Sequence, residues 1–134
     1  MASLKRDQIL SAKDMKKDYV DVPEWGGEVC LKSLTGTERD DFEASMIEVS
    51  KTGKTRQNLR NLRARLVVLC AIDPDDDDLR LFSDSDVHEL GRKSAAALDR
   101  VFAAAQKLNG FTKEDIEDLA EGFESGPSES STSA

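Results

Sequence analysis

The stretch "DYVDVPEWGGEVCLKSLTGTERDDFE", residues 18–43, carries two structural signals in succession. Apolar side chains alternate with polar ones on both sides of a Gly-containing turn, at Val20, Val22, Val29 and Leu31. Such alternation predicts a β-hairpin with one apolar face at about residues 18–32. Two strands alone are marginal in water, so this face needs a helical layer beneath it.

The second signal marks where that layer begins. Thr35 and Glu38 have the spacing of a capping box, with Thr35 as the N-cap. Phe42, Met46 and Val49 then recur on one helical face. The pattern predicts a helix that runs to about Lys51 and stops near Gly53. Pro23, which cannot donate to a strand ladder, predicts an early end to the first strand.

Further helices are predicted downstream. A leucine stripe after Thr55 predicts a second helix, and an acidic loop follows it at residues 73–79; the stripe comprises Leu59, Leu62, Leu66 and Leu69. Ser83 has the features of an N-cap, and an apolar pattern continues from Val87 to Leu108 with a break or kink at Gly91. Asn109 and Gly110 form a stop signal. Ile116 and Leu119 predict one last short helix.

These elements predict an α+β fold that is mainly helical, with an N-terminal β-hairpin packed on four to five helices. We expect a flexible N-terminal arm at residues 1–17, with a helical turn around residues 11–15. A single domain is expected at residues 18–122. The Ser/Gly/Glu-rich residues 123–134 are predicted to be a disordered tail.

Composition restricts the function. The chain has 134 residues and a formal net charge of −8, so its mean field repels nucleic acid and anionic lipid. We therefore expect no nucleic acid and no membrane among its partners. Cys30 and Cys70 lie in apolar runs without metal-like spacing, which favours a reduced, cytoplasmic setting. The N-terminal residues contain no uninterrupted apolar segment that would serve as a signal or membrane span.

The sequence offers little chemistry. It has one histidine, His88, and none of the spacings of a P-loop, a dinucleotide site, a nucleophile elbow or a zinc site. The run at residues 73–84 resembles a calcium loop only weakly, because Asp78 stands where the turn needs Gly. We predict no enzyme, with no catalytic, cofactor-binding or metal-binding residues.

A basic run stands out in this acidic chain. Arg56, Arg60 and Arg63 would share one face of the predicted second helix, turned away from the leucine stripe. They would contact phosphates, offset nearby acidic residues or dock on an acidic protein surface. The first use corresponds to a nucleic-acid adaptor with a helix-turn-helix, although no aromatic side chains are interleaved with the basic ones.

The order of these features resembles that of the tail assembly chaperones of long-tailed bacteriophages. The resemblance runs from about residue 18 to residue 122. It rests on the pattern V-x-V-P-E-W-G-G-x-V, a leucine-threonine-glycine turn, an "LF-S-D-x-D" segment and an alanine/leucine helix that ends in "LNG". The residues that carry it are Val20, Val22, Pro23, Glu24, Trp25, Gly26, Gly27, Val29, Leu34, Gly36, Phe42, Leu81, Phe82, Asp84, Asp86, Leu90, Leu98, Asn109 and Gly110.

The resemblance implies a helical protein without enzymatic activity. Such a protein binds the tape measure protein, keeps it soluble and helps to recruit tail tube subunits during assembly. It would act in the host cytoplasm and be absent from the mature virion. The alternative is a virion structural protein, such as a head-tail connector or a minor tail component.

Four residues are the candidates for partner binding: Trp25, Arg56, Arg60 and Arg63. Trp25 would anchor an interface from its tight turn or fold back over the hairpin to cap a core with few aromatic residues. The stripes at Leu59–Leu69 and Val87–Leu108 also favour homo-oligomer formation.

Overall fold

The core of the chain is built on a four-stranded antiparallel sheet, which a computed structural model describes together with the rest of residues 2–111. In chain order, the helices and strands are α1 (Arg6–Ser11), β1 (Lys17–Val22), β2 (Gly27–Lys32), α2 (Gly36–Ser45), β3 (Ile47–Val49), β4 (Thr55–Gln57), α3 (Leu62–Cys70), β5 (Ala71–Asp73), β6 (Asp76–Arg80), α4 (Val87–Leu90) and α5 (Ala95–Leu108).

The sheet has the strand order β1-β2-β5-β6, while β3 and β4 form a separate hairpin. The prediction of a mainly helical fold, with one β-hairpin on four to five helices, is therefore wrong. Strands β1 and β2 pair along their whole length, and Cys30 and Leu31 of β2 then pair with Ile72 and Ala71 of β5. An ion pair of 2.7 Å between Lys17 Nζ and Asp77 Oδ1 joins the two outer strands.

The first hairpin, β1–β2, confirms the alternation seen in the sequence. Val22 and Leu31 are fully buried, and Val20 and Val29 face each other across the strands and pack on the core. Strand β1 ends just before Pro23, as its missing N–H requires. The connection is a 3₁₀ turn at Pro23–Trp25 that closes at Gly26, whose φ of +80° favours glycine.

Helix α2 starts with the predicted capping box. The Glu38 N–H donates to Thr35 Oγ1 at 3.1 Å, and the Thr35 N–H donates to Glu38 Oε1 at 3.0 Å. The helix ends at Ser45 rather than near Lys51, because residues 47–49 pair with residues 55–57 as the second hairpin, β3–β4. The predictions of helix for residues 46–51 and just after Thr55 are wrong.

Helix α3 is shorter than predicted but forms the centre of the core. It begins at Leu62 after Asn61, whose backbone is left-handed with φ of 57°, and six of its nine residues are buried. The predicted acidic loop at residues 73–79 is instead the tight hairpin β5–β6. The Asp73 and Asp76 carboxylates accept hydrogen bonds from the N–H groups of Asp75 and Asp78 within that hairpin.

The last two helices meet at the predicted break. Helix α4 follows a 3₁₀ turn at Asp84–Asp86 and ends at Gly91, where an added Cβ would lie 2.5 Å from Asn61 Oδ1. Helix α5 follows from Ala95 and stops before Gly110, whose φ is +72°. Both the break at Gly91 and the stop at Asn109 and Gly110 are confirmed.

The core lies between the sheet, α2, α3 and α5. Its fully or nearly fully buried side chains are those of Val22, Leu31, Phe42, Met46, Ala64, Leu66, Val67, Val68, Leu69, Cys70, Ala71, Leu90, Ala97, Leu98, Val101, Ala105 and Phe111. Each large apolar side chain in this set stabilises the fold by about 1.5–3 kcal/mol. Both cysteines are free and buried, as predicted, and burial raises the pKa of Cys70 to about 12.

The N-terminal arm carries a helix one turn earlier than predicted. Helix α1 has no buried residue, and residues 12–16 are not helical, so the helical turn expected around residues 11–15 is wrong. The last predicted helix, around Ile116 and Leu119, and the tail at residues 123–134 lie outside the described residues. Within residues 2–111, no helix is long and apolar enough to cross a membrane.

Candidate partner-binding surfaces

Trp25 closes the 3₁₀ turn between β1 and β2. Its ring is partly buried and packs against the core. The turn is held to α5 by an ion pair between Glu24 and Arg100, and the hydrogen bond from the Arg100 guanidinium holds the pKa of Glu24 below its usual value. The ring thus covers part of the core, as one of the two interpretations of Trp25 proposed. Its role in partner binding stays a prediction.

The three predicted arginines do not share a helical face, so that expectation is wrong. Arg56 lies on β4, Arg60 lies in the segment before α3, and only Arg63 is on a helix. The Arg63 guanidinium pairs with Asp99 of α5 and lies 5.9 Å from the centre of the Phe102 ring. Arg63 therefore points to α5, while Arg56 and Arg60 belong to another surface.

That surface is a polar cleft beside the second hairpin, with a volume of about 530 Å³. We call it the basic cleft; it is lined by Glu48, Arg56, Gln57, Asn58, Leu59, Arg60, Asn61, Arg65 and Val87. Arg56 donates to Glu48 at 2.8 Å and is largely exposed, and Arg60 is exposed as well. Two guanidinium groups at the rim of an open polar cleft suit a carboxylate-bearing partner.

Arg65 holds the second hairpin to the core, a role that the sequence did not reveal. Its guanidinium donates to the carbonyl and the hydroxyl of Ser45, at the end of α2, and to the Asn58 carbonyl at 2.6 Å. A cation at a helix C-terminus satisfies carbonyls that have no partner within the helix. Burial lowers the pKa of Arg65, and the charge of the Glu48 carboxylate opposes that shift. One side chain therefore joins α2, α3 and the hairpin.

An apolar groove of about 290 Å³ lies on the other side of Arg65. Its apolar lining comes from Phe42, Val68, Leu69 and Val87, and charged side chains stand around it, among them Asp41, Arg80 and Asp84. The groove has room for an apolar side chain of another protein segment. The sequence did not reveal it, because Phe42 and Leu69 are core residues that come to lie beside Val87 only in the folded chain.

The described residues assemble no cluster of metal-ligating side chains. Across residues 2–111, no three His, Cys, Asp or Glu side chains lie close enough together to hold a metal ion. His88 is exposed on α4. The arrangement offers charged, apolar and hydrogen-bonding contacts to a protein partner.

Comparison with known proteins decides which class of protein this is. Residues 4–122 match the family model described as phage tail assembly chaperone. The chain belongs to the phage tail assembly chaperone family. This family is a class of chaperones rather than of enzymes, so the tail assembly chaperone acts on a protein partner in tail assembly.

A solved structure supports the fold of this tail assembly chaperone. It is similar to the tail assembly chaperone of bacteriophage HK97, with a TM-score of 0.52 and 21% sequence identity. The match covers 76% of this chain and 94% of the HK97 chain. No curated protein matches the sequence.

Proposed function

We propose that this chain binds the tape measure protein in the host cytoplasm, keeps it soluble until the tail tube covers it, and helps to recruit tube subunits. It then leaves the particle and is absent from the mature virion. The observation that carries the proposal is the match of residues 4–122 to the tail assembly chaperone family. A tape measure protein rich in apolar helix would aggregate while uncovered, which is the hazard such a chaperone removes.

Two adjoining surfaces support this proposal. The apolar groove accepts an apolar side chain, and the basic cleft accepts a carboxylate; Arg65 and Val87 line both. An amphipathic helix laid across them would place apolar and acidic side chains at helical spacing. Binding of this kind covers the apolar face of a partner without any chemical step.

Co-expression of the chain with the tape measure protein of the same phage tests the proposal. We expect the tape measure protein to be insoluble alone and to be recovered as a soluble complex with the chaperone. Purified particles should lack the chaperone when analysed by mass spectrometry. A tape measure protein that remains insoluble would contradict the proposal, and a stoichiometric chaperone in particles would indicate a virion structural protein instead.

The same assay tests the surface. The double variant Arg56→Glu/Arg60→Glu should fold normally, because exposed ion pairs contribute little to stability, and should lose most of the soluble complex. Arg92→Glu/Lys93→Glu is a matched control with the same change in net charge at exposed positions between α4 and α5. Equal loss of complex in both variants would point to a general effect of charge rather than to the basic cleft.

A further inference from the structure

The negative charge of the chain is concentrated outside the described fold. The last 23 residues, 112–134, contain seven acidic side chains and one basic one, a formal charge of −6 out of the −8 of the whole chain. Residues 2–111 therefore carry a formal charge of only −2. The nearly neutral residues 2–111 are followed by a strongly acidic segment.

The positive charge of the folded part is concentrated too. Residues 51–65 contain six basic side chains and no acidic one. Two of them lie in the loop before β4, one on β4, one in the segment before α3 and two on α3. Arg56, Arg60 and Arg65 line the basic cleft. Within the described residues, Lys51, Lys54 and Arg60 are exposed and take part in no ion pair. These three positive charges thus have no ion-pair partner among residues 2–111.

The acidic segment follows Phe111, which packs on helix α2. Phe111, the last described residue, lies with its ring 6.0 Å from the ring of Phe42 and 4.2 Å from the guanidinium carbon of Arg39, both on α2. Ser45, which Arg65 holds, ends the same helix three residues after Phe42, a rise of about 4.5 Å. Phe111 therefore packs on the helix whose C-terminal end adjoins the second hairpin. Twenty-three residues are enough to reach the cleft, since a chain of that length without regular structure spans roughly 26 Å and a helix of that length about 35 Å.

We propose that the acidic residues 112–134 dock on the basic surface formed by Lys51, Lys54, Arg56 and Arg60 of the same chain. Opposite charges on a short tether interact at an effective concentration in the millimolar range, so individually weak pairs suffice. The docked segment occupies the cleft that a carboxylate-bearing partner would use. The docked segment therefore competes with the partner for the cleft. This competition rests on the proposed function, whereas the docking itself is independent of it.

Paramagnetic relaxation in the full-length chain measures the docking without any partner. A nitroxide on Ser125→Cys is selective, because Cys30 and Cys70 are buried and the pKa of Cys70 is raised to about 12. We expect line broadening of the amides at residues 51–60, and little at Arg92 and Lys93. The broadening should be lost at about 0.5 M salt, where exposed charges are screened.

Charge variants then identify the contact. Arg56→Glu/Arg60→Glu should abolish the broadening, and so should the neutral variant Glu114→Gln/Asp115→Asn/Glu117→Gln/Asp118→Asn, which leaves residues 2–111 unaltered. Arg92→Glu/Lys93→Glu should retain it. Broadening at Leu69 and Val87 that resists salt would overturn the proposal in favour of the apolar groove. Broadening that increases with protein concentration would overturn it in favour of a second copy.

The partner assay separates this inference from the proposed function. If the segment is docked in about nine molecules of ten, the neutral variant should bind the tape measure protein about tenfold more tightly than the wild type. Docking without any complex would leave the inference standing and remove the proposed function. Complex formation without salt-sensitive broadening would support the proposed function and overturn the docking of residues 112–134.

Discussion

The two small hairpins of this chaperone are attached to the fold in opposite ways. The first, β1–β2, has six paired residues in each strand and buries Val22 and Leu31 completely. The second, β3–β4, has three paired residues in each strand, and Val49 is 68% exposed. The first is part of the core, while the second is held largely by the hydrogen bonds of Arg65. The basic cleft therefore adjoins the hairpin that has fewer paired residues and a more exposed side chain, and binding surfaces commonly lie on such weakly attached elements.

Replacing Trp25 by Ala should have the largest effect, because the ring covers the core at the end of the first hairpin. We expect a loss of roughly 3 kcal/mol in the free energy of unfolding, measured by urea titration. Binding of the partner should then fall only in proportion to the unfolded fraction. A stable Trp25→Ala variant that no longer binds would show instead that the ring is an interface anchor.

A matched valine pair compares the hairpins directly. Val22→Ala should cost about 2 kcal/mol, because a fully buried side chain is shortened and leaves a cavity. Val49→Ala should change the free energy of unfolding by less than about 0.5 kcal/mol, because that side chain is mostly in solvent. Similar losses in the two variants would mean that both hairpins contribute to the core.

Arg65→Lys should loosen the second hairpin alone. Lysine keeps the charge but cannot donate to Ser45 and Asn58 through two separate nitrogens. We expect amide exchange at Asn58, whose N–H donates to the Met46 carbonyl, to accelerate about tenfold, or about 1.4 kcal/mol. Exchange in β1–β2 should not change.

Arg63→Lys, on the same helix but in an exposed ion pair with Asp99, is the control and should affect neither hairpin. Equal acceleration in both hairpins after Arg65→Lys would show that they open together.

Apart from the control variants, Glu38 gives the smallest expected effect, and it tests the ion pairs at the four-stranded sheet. Its side chain pairs with Lys32 of β2 and Arg80 of β6. Burial raises the pKa of Glu38, but the Thr35 N–H and Lys32 outweigh it and keep the pKa below the usual 4.5. A lowered folded-state pKa means that the carboxylate stabilises the fold above pH 4.5, and that this stabilisation is lost as pH falls through the folded-state value.

Glu38→Gln should therefore be about 1 kcal/mol less stable than the wild type at pH 7, and the difference should close at acidic pH. Urea titrations across the acidic range measure this gap. A gap that is constant with pH would show that the charge of Glu38 does not contribute.

The sequence predicted the first hairpin because its apolar alternation and turn residues agree with the burial that the fold imposes. It did not predict the second, because Phe42, Met46 and Val49 continue a helical spacing through residues that pair as a strand. Strand β6 begins with three aspartates, which disfavour strands, and its place is set by pairing with β5. Local patterns do not contain such tertiary information.

The candidate surfaces likewise combine features that the local sequence predicts with features that depend on tertiary contacts. Trp25 was located correctly at a turn, because glycine and proline mark turns in the sequence itself. Arg56 and Arg60 were selected correctly as neighbours but were placed on a helix that does not extend to them. The role of Arg65 depends on Ser45 and Asn58, which become its neighbours only when α2, α3 and the second hairpin are assembled.

The close approach of Gly91 to Asn61 restricts how this sequence can evolve. An alanine at position 91 would place its Cβ 2.5 Å from Asn61 Oδ1, so the Asn61 side chain would have to move to accommodate it. Position 61 has the left-handed backbone that glycine adopts without strain, so Asn61→Gly would make room for it at little conformational cost. Substitutions at positions 61 and 91, thirty residues apart, are therefore coupled. Homologues with a larger residue than glycine at position 91 are expected to have a smaller side chain than asparagine at position 61.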